Sequence, residues 1–565
     1  MEAYIVFGIF AAAFLVFVFA REAYEDCKKE KQFIEKLYRD YGKVPQREYS
    51  AQRYMAITTF FRRHPVEGQI DDITWNDLSF DDIFKRLNDT YSSAGEEYLY
   101  YTLRTPVYNE KELKHFDKLV EYFRNNPDDR VKMQVNLAKL GRTGKFSLYD
   151  YLEHLDVLGN RSNWKHYIAD GLLLAAIVLC FFVPSYGLLA VIAILIYNIL
   201  SYFKEKNEID TYITSFAYVM RLLNATEKIG KLKIDVCREE LEEIEYHRKQ
   251  MTLFKTGAFW IMSAGRMSGS GNPLDIIFDY LRMCLHFDLI KFNNMLAQVR
   301  LHIEDIDVMV QKLGYIETAI AVGGFRTAQE GQWCKPNFVE EKCLEAQNAY
   351  HPMIENPVKN SIVTKKGVLL TGSNASGKST FLKTMAIAGI FAQTIYTCPA
   401  DYYKSCFLRV CSSMALRDDL NSGESYYIVE IKSIKRILDI AAESGMNVLC
   451  FVDEVLRGTN TVERIAASTQ ILKGLAKKNV LCFAATHDIE LTGLLEEDFD
   501  NYHFEETVAN GDISFNYKLL DGKATTRNAI KLLEMMGYDK KIIEKAEKQA
   551  AVFIETGAWE KDDKL

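Results

Sequence analysis

The nine residues Gly-Ser-Asn-Ala-Ser-Gly-Lys-Ser-Thr at positions 372–380 restrict the fold of this chain more than any other feature. They follow an apolar run at 368–370 that is typical of a buried strand, and they precede a helical pattern over 381–394. Glycine lets backbone N–H groups crowd around phosphate, Lys378 would reach the terminal phosphates, and Ser379 would offer its hydroxyl to Mg²⁺. The pattern favours a nucleoside triphosphate site over an ordinary glycine turn, with candidate binding residues Gly372, Ser373, Asn374, Ala375, Ser376, Gly377, Lys378, Ser379 and Thr380.

A second part of the same site is predicted 75 residues after Lys378, where the apolar run 448–452 leads directly into Asp453 and Glu454. A continuous apolar run of this length is typical of a parallel strand covered on both faces, and ligands bind at the carboxyl ends of such strands. We expect Asp453 to hold Mg²⁺, directly or through water, and Glu454 to orient and deprotonate the attacking water. The alternative is a solvated acidic pair at a strand end.

A third apolar run, at 480–485, ends in Thr486-His487-Asp488. Because it has the pattern of another buried strand, its carboxyl end is expected at the same edge of the sheet. His487 would then contact the terminal phosphate or its attacking water. The alternative is a histidine with a structural role only.

Four stretches together resemble the ATPase domain of the MutS family: 351–355, 417–430, 453–463 and 485–491. The resemblance implies an α/β P-loop NTPase of the ABC type that uses ATP and Mg²⁺, with Lys378, Glu454 and His487 as catalytic residues and Ser379 and Asp453 at the metal. It also implies a head-to-head homodimer in which a loop of one subunit caps the nucleotide of the other. By position, that loop is formed by Asn421, Ser422, Gly423 and Ser425.

The chain departs from the family pattern inside the phosphate loop and near the base. Ser373, Ala375 and Ser376 replace the usual Pro, Met and Gly, a change that preserves loop size. The family's usual Ser-Thr-Phe is Ser-Tyr-Tyr at 425–427, and the aromatic residue that often stacks on adenine is replaced by Val358. We therefore expect phosphate and Mg²⁺ binding to follow the family more closely than base selectivity.

The resemblance extends more weakly to helical patterns on both sides of the ATPase domain. Residues 88–106 resemble the start of the family's helical core, 316–321 the end of its lever, and 521–546 the helices that support its dimer. The alternative for the first two is a generic helical bundle. The expected organisation is a transmembrane helix, a helical core, a transmembrane hairpin, a helical lever, the ATPase domain and a helical dimerisation segment, at 1–20, 21–163, 164–204, 205–345, 346–523 and 524–565.

Mismatch-recognising members of the family carry an amino-terminal domain with a Phe-x-Glu wedge, followed by a connector domain. This sequence contains Phe33-Ile34-Glu35, but in a charged helical run at 24–41 with no domain around it. We expect neither domain here, and no mismatch specificity.

An apolar stretch of 18 residues without a charge, 3–20, is long enough to cross a bilayer as a helix. A cleaved signal peptide is the alternative, because residues 18–20 form an acceptable cleavage site. However, the basic residues follow the stretch, beginning at Arg21, instead of preceding it. The positive-inside rule then places the amino terminus outside and the remainder in the cytoplasm.

A second apolar block, 167–203, is interrupted at 184–187 by Pro-Ser-Tyr-Gly and is flanked by Lys165 and Lys204. We expect a membrane-spanning helical hairpin with both ends cytoplasmic, which predicts a multi-pass protein of the cell membrane. The alternative is a buried hairpin of a soluble protein. Asp170, near its entrance, is expected at the interface.

Composition agrees with a cytoplasmic ATPase. The 11 cysteines include no C-x-x-C pair and are typical of reduced thiols. The net charge of −8 offers no general attraction to nucleic acid.

Three functions remain open from sequence. The first is a membrane-anchored MutS-type ATPase that binds DNA through a nucleotide-gated dimer, in repair or recombination. The second is the same ATPase acting on a protein or RNA partner. The third is an ATP-driven machine that moves its membrane helices.

Overall fold

A computed structural model describes residues 2–255, 280–373, 376–414, 426–443, 445–457, 459–509, 512–524 and 529–559. The chain divides into two compact units. The helical unit comprises 1–65, 85–102 and 115–328, and the sheet unit comprises 66–84, 103–114 and 329–565.

The described helices are α1 (Glu2–Asp40), α2 (Ala51–Ile57), α3 (Thr59–Arg63), α4 (Asp72–Asp77), α5 (Phe80–Leu87), α6 (Ser93–Arg104), α7 (Glu110–Asn125), α8 (Pro127–Leu140), α9 (Leu148–Glu153), α10 (Trp164–Phe182), α11 (Pro184–Gly230), α12 (Arg238–Gln250), α13 (Phe287–Leu301), α14 (Ile303–Ala328), α15 (Lys378–Thr394), α16 (Tyr426–Glu443), α17 (Thr461–Leu475), α18 (Leu491–Leu494), α19 (Ala529–Met535) and α20 (Lys540–Thr556). The strands are β1 (Asn337–Phe338), β2 (Leu344–Ala349), β3 (Asn360–Thr364), β4 (Gly367–Thr371), β5 (Tyr402–Ser405), β6 (Leu408–Ser413), β7 (Asn447–Asp453), β8 (Val480–Ala485), β9 (Phe499–Ala509) and β10 (Asp512–Asp521).

Helix α14 forms the centre of the helical unit. Every residue from Ile316 to Arg326 is buried, as expected for a helix surrounded by other elements. The guanidinium of Arg326 is fully buried and donates to Asp117 at 2.6 Å and to Glu121 at 2.7 Å. These ion pairs attach the end of α14 to α7.

Two segments that each resembled the family, 88–106 and 316–321, meet at a buried carboxylate. Glu317 accepts hydrogen bonds from the backbone N–H groups of Tyr91 and Ser92 and from the Ser92 hydroxyl, at the start of α6. This close approach requires glycine at position 95, because a Cβ there would lie 2.1 Å from the Glu317 carboxylate. Burial raises the pKa of Glu317 to about 7, although these hydrogen bonds favour its ionised form.

The Phe33-Ile34-Glu35 sequence lies in α1. Phe33 and Ile34 pack against Leu37, Val131 and Val135. Their environment is that of a helix–helix contact.

The sheet unit contains a six-stranded sheet with strand order β10-β9-β4-β8-β7-β6. Its strands are parallel except for the antiparallel pair β9 and β10. The three apolar runs predicted as strands form β4, β7 and β8, all almost entirely buried. Because β8 lies between β4 and β7, the carboxyl ends of all three strands meet at one edge of the sheet.

A second sheet, of order β1-β5-β2-β3, belongs to the same unit. The upstream segments 66–84 and 103–114 also pack within this unit, whereas the sequence pattern had grouped them with the helical core at 21–163. The physical reason is hydrogen bonding across large sequence separations, for example from the Val107 N–H to the Gln393 carbonyl at 2.7 Å.

Helices α10 and α11 pack side by side and are joined at Val183. Of the described residues, two helical stretches are long and apolar enough to cross a membrane, 164–182 and 184–210. Only 22% and 17% of their most apolar portions are buried. Helix α11 continues through the expected boundary at 204 as far as Gly230, because no glycine or proline interrupts the chain between 188 and 229. The apolar stretch 3–20 lies within α1.

We predict that Gly95→Ala destabilises the helical unit by about 2 to 4 kcal/mol, because the new methyl group would displace the buried Glu317 carboxylate from its donors. The shift in the midpoint of thermal unfolding measures the effect. Gly230→Ala is the matched control, since a Cβ at the end of α11 meets no atom of the described part of the chain within 4 Å. Equal midpoints for the two variants would contradict the proposed role of Gly95.

Candidate nucleotide-binding site

The phosphate loop connects β4 to α15 at the carboxyl edge of the six-stranded sheet. Its two glycines have backbone φ angles of 141° at Gly372 and 110° at Gly377, a region that side chains with a Cβ rarely adopt. A Cβ at Gly372 would also lie 2.7 Å from the carbonyl oxygen of Phe504. Both glycines are therefore needed for the conformation of the loop.

Lys378 begins α15 and turns back over the loop. Its ammonium donates to the carbonyl oxygens of Gly372 and Ser373, each at 2.8 Å, and its Nζ lies 3.4 Å from Nε2 of His487. Burial lowers the pKa of Lys378, while the nearby carboxylates Glu454 and Asp453 oppose this effect. The lysine lies where the loop would surround phosphate oxygens.

Ser379 and Asp453 form a pair of oxygens suited to a divalent cation. The Ser379 hydroxyl donates to Oδ2 of Asp453 at 2.6 Å. Oδ1 of Asp453 is buried and has no hydrogen-bond partner among the described residues. Mg²⁺ takes one or two protein oxygens and completes its shell with water and phosphate, so these two residues fit it. The described residues include no group of three or more His, Cys, Asp or Glu side chains placed to hold a metal ion.

Glu454 follows β7 directly and lies between two cationic or proton-donating groups. Its Oε1 is 2.9 Å from Nε2 of His487, and its Oε2 is 2.6 Å from Nε of Arg457. Burial opposes ionisation of Glu454, but the hydrogen bond from His487 and the charges of Arg457 and Lys378 outweigh it and lower the pKa. Glu454 is therefore held as a carboxylate, the form that accepts a proton from water.

A cavity of about 690 Å³ opens beside these groups, a volume within the usual range for small-molecule sites. Of the described phosphate-loop residues, all except Gly372 line it. Val358, where the sequence suggested an aromatic residue was missing, also lines the cavity, and so do Phe504 and Tyr517. Tyr517 is 44% exposed, so its ring is available to a planar ligand.

The structure brings together Lys378, Ser379, Asp453, Glu454 and His487 as the sequence suggested. The other candidates Asn374, Ala375, Asn421, Ser422, Gly423 and Ser425 lie outside the described residues.

Sequence reasoning missed Arg457, Glu506 and Tyr517. Arg457 lies in the stretch that resembled the family, four residues after Asp453, so its position was a usable signal. Glu506 accepts a hydrogen bond from Ser373 at 2.6 Å and comes from β9. Neither Glu506 nor Tyr517 carries a local pattern that points to the loop.

Comparison with known proteins agrees with this geometry. Residues 368–553 match MutS domain V, which is a P-loop ATPase domain. Residues 368–553 are thus similar to the ATPase domain of the MutS family. The matched region begins within β4 and ends in α20, and thus contains all six strands of the six-stranded sheet except Gly367, the first residue of β4.

Among MutS-family relatives, this chain is similar to the DNA mismatch repair protein MutS of three bacteria. It is 30% identical to that of Lactobacillus delbrueckii subsp. bulgaricus over 268 residues, 45% of this chain and 31% of the relative. The corresponding values are 29% over 277 residues, 46% and 31%, for Halalkalibacterium halodurans, and 30% over 219 residues, 38% and 26%, for Thermus thermophilus. The chain spans less than a third of the length of these relatives.

We predict that His351, which lines the cavity, makes stability depend on pH. Burial lowers its pKa to about 4, and its Nδ1 accepts the Met353 N–H at 3.3 Å, which requires a neutral ring. The unfolded ring titrates near 6.5, so the stabilisation is complete above pH 6.5 and is lost as pH falls towards 4, by up to about 3 kcal/mol.

Thermal unfolding between pH 7.5 and 4.5 tests this dependence. His351→Asn retains an acceptor for Met353 but does not titrate, so its midpoint should fall less than that of the unsubstituted chain. Parallel pH profiles for the two proteins would exclude His351 as the source.

Proposed function

We propose that this chain hydrolyses ATP in a Mg²⁺-dependent reaction at the carboxyl edge of the six-stranded sheet. The observation that carries the proposal is Glu454, held as a carboxylate by His487 and Arg457 beside the phosphate loop. The match of residues 368–553 to MutS domain V, an ATPase domain, supports the same conclusion.

Each residue of the site has a distinct role in the proposed reaction. The loop N–H groups and Lys378 bind the phosphates, and Ser379 and Asp453 hold Mg²⁺, which supplies charge neutralisation when bound. Glu454 orients and deprotonates the attacking water, and His487 donates a hydrogen bond to Glu454 and faces the terminal phosphate.

We further propose that the functional state is a homodimer in which Asn421, Ser422, Gly423 and Ser425 of one subunit complete the site of the other. This arrangement rests on the family resemblance of those residues. A site completed in this way assembles when nucleotide binds and separates after nucleotide leaves. Nucleotide can therefore control the affinity of the protein for a partner.

The proposed partner is DNA. The relatives are named DNA mismatch repair proteins, which supports this choice. The net charge of −8 predicts that binding depends on local basic groups and is sensitive to salt. A protein or RNA partner, or an ATP-driven movement of membrane helices, would be indicated instead if DNA is not bound.

Membrane attachment through α10 and α11 is part of the proposal. The hairpin presents large apolar side chains outward, with Phe181 84% and Leu200 68% exposed, whereas the polar Asn198 is fully buried. This distribution is the inverse of a water-soluble helix pair and is suited to lipid. With the stretch 3–20 as a further span, the protein would be a multi-pass protein of the cell membrane with its ATPase domain in the cytoplasm.

We predict that Lys378→Ala abolishes ATP binding, while Glu454→Gln binds ATP but hydrolyses it about 10² to 10⁴ times more slowly, the usual effect of removing a positioned base. Phosphate release and binding of a fluorescent ATP analogue provide the two measurements. Lys477→Ala and Glu496→Gln, both exposed, are the matched controls and should behave like the unsubstituted chain. Undiminished turnover in Glu454→Gln would remove Glu454 from the role of base.

We predict that the full chain remains in vesicles after an alkaline wash. We also predict that these vesicles bind duplex DNA more tightly with ATP than without. Flotation of the vesicles with labelled DNA, over a series of salt concentrations, measures both properties. The Lys378→Ala protein should float equally well but lose the effect of ATP on DNA. Release of the protein by the wash would refute membrane insertion, and DNA recovery independent of ATP would refute nucleotide gating.

A further inference from the structure

The free edge of β6 is covered by side chains of helix α4. Among the described residues, β6 is the last strand of the six-stranded sheet, so its outer N–H groups face no further strand in that part of the chain. The Ser412 N–H donates to the Thr74 hydroxyl at 3.1 Å, and the Met414 N–H donates to Oδ2 of Asp77 at 2.9 Å. The Ser412 hydroxyl donates to the same carboxylate oxygen at 2.7 Å. All four residues are buried, so α4 takes the place of a seventh strand.

The same short helix also contacts α16. Asp71, the residue that caps α4, accepts the Thr74 N–H at 2.8 Å and forms an ion pair with Arg436. The Arg436 guanidinium also donates to the Ser412 carbonyl oxygen at 2.5 Å. Arg436 therefore connects α4, β6 and α16 at one point.

Helix α16 in turn contacts the loop that carries Glu454. Six residues before Arg436, the buried carboxylate of Glu430 accepts the Leu456 N–H at 2.5 Å. Glu454 and Leu456 have backbone φ angles of 55° and 60°, which are unfavourable for residues with a Cβ. The hydrogen bond from the Leu456 N–H to Glu430 of α16 stabilises this backbone conformation two residues after Glu454.

A second connection passes through the sheet. Ser412 and Ser413 of β6 are paired with Phe451 and Val452 of β7, and the next residue of β7 is Asp453. Strand β6, whose outer edge Asp77 contacts, is thus the direct neighbour of the strand that carries Asp453, the proposed metal-binding carboxylate.

We infer that α4 is a positioning element for ATP hydrolysis: Asp71, Thr74 and Asp77 hold β6 and α16, and these two elements hold Asp453 and Glu454 in place. Asp71 and Asp77 are positioning residues, since neither lines the cavity. The inference rests on the proposed hydrolysis of ATP at this site. It assigns to a segment far upstream of the matched family domain a part in that domain's reaction.

The test compares Asp77→Ala with the unsubstituted full chain in detergent, well below the melting temperature of each. The substitution leaves the Met414 N–H and the Ser412 hydroxyl without their acceptor, so β6 and Asp453 lose their alignment. We expect kcat to fall by about 10- to 100-fold, the effect of a small misplacement of reacting groups. The affinity for a fluorescent ATP analogue should not change, because the phosphate loop is untouched.

Three further variants separate positioning from simple stability. Asp77→Asn keeps an acceptor oxygen in the same position and should restore most of kcat. Asp71→Asn keeps the cap of α4 but loses the charge that faces Arg436, and it should lower kcat even if Asp77→Ala does not fold. Asn76→Ala removes an exposed polar side chain from the same helix and should leave kcat unchanged.

Unchanged kcat in both Asp77→Ala and Asp71→Asn would overturn the inference. So would a loss of turnover that is matched by an equal loss of nucleotide binding, since that is the behaviour of a partly unfolded protein. Failure of the unsubstituted chain to hydrolyse ATP would instead refute the proposed function, and it is measured first.

Discussion

The register of the three parallel strands β4, β8 and β7 determines where the side chains of the candidate site lie. Main-chain hydrogen bonds continue just past the ends of these strands. The Glu454 N–H donates to the Ala485 carbonyl oxygen and the Thr486 N–H donates to the Leu370 carbonyl oxygen, both at 2.9 Å. Because successive parallel strands are held in register, groups that are about a hundred residues apart in the chain lie within hydrogen-bond distance. A shift of one residue in any of these strands would move its side chains to the opposite face of the sheet.

The charges of the site are mutually compensated. Lys378 donates to two loop carbonyl oxygens, Glu454 is shared by Arg457 and His487, and the Ser379 hydroxyl donates to Asp453. A buried ion without such partners would be strongly unfavourable. Binding of a polyanion would therefore replace some of these partners with phosphate oxygens. The position of Arg457 would then depend on the negative charges beside it.

The sequence could predict the parts of the site that depend on local patterns. Apolar runs followed by polar residues identified β4, β7 and β8 and hence the meeting of Lys378, Asp453 and His487, because strand ends of a parallel sheet share an edge. The cavity wall from β9 and β10 could not be predicted, since Tyr517 and Glu506 lie in ordinary strand patterns. The contact between Asp77 and Ser412 is harder still, because 335 residues separate them and only the folded chain brings them together.

The length of the uninterrupted helix α11 allows it to transmit movement along the helical unit. It runs without a break for 47 residues from Pro184, in the apolar hairpin, to Gly230, and a straight helix of that length measures about 70 Å. A rigid rod of that length converts a small rotation at one end into a large displacement at the other, so that a tilt of about 5° moves the far end by about 6 Å. If the hairpin lies in a bilayer as proposed, a change in bilayer thickness or curvature that tilts this helix would therefore displace Gly230.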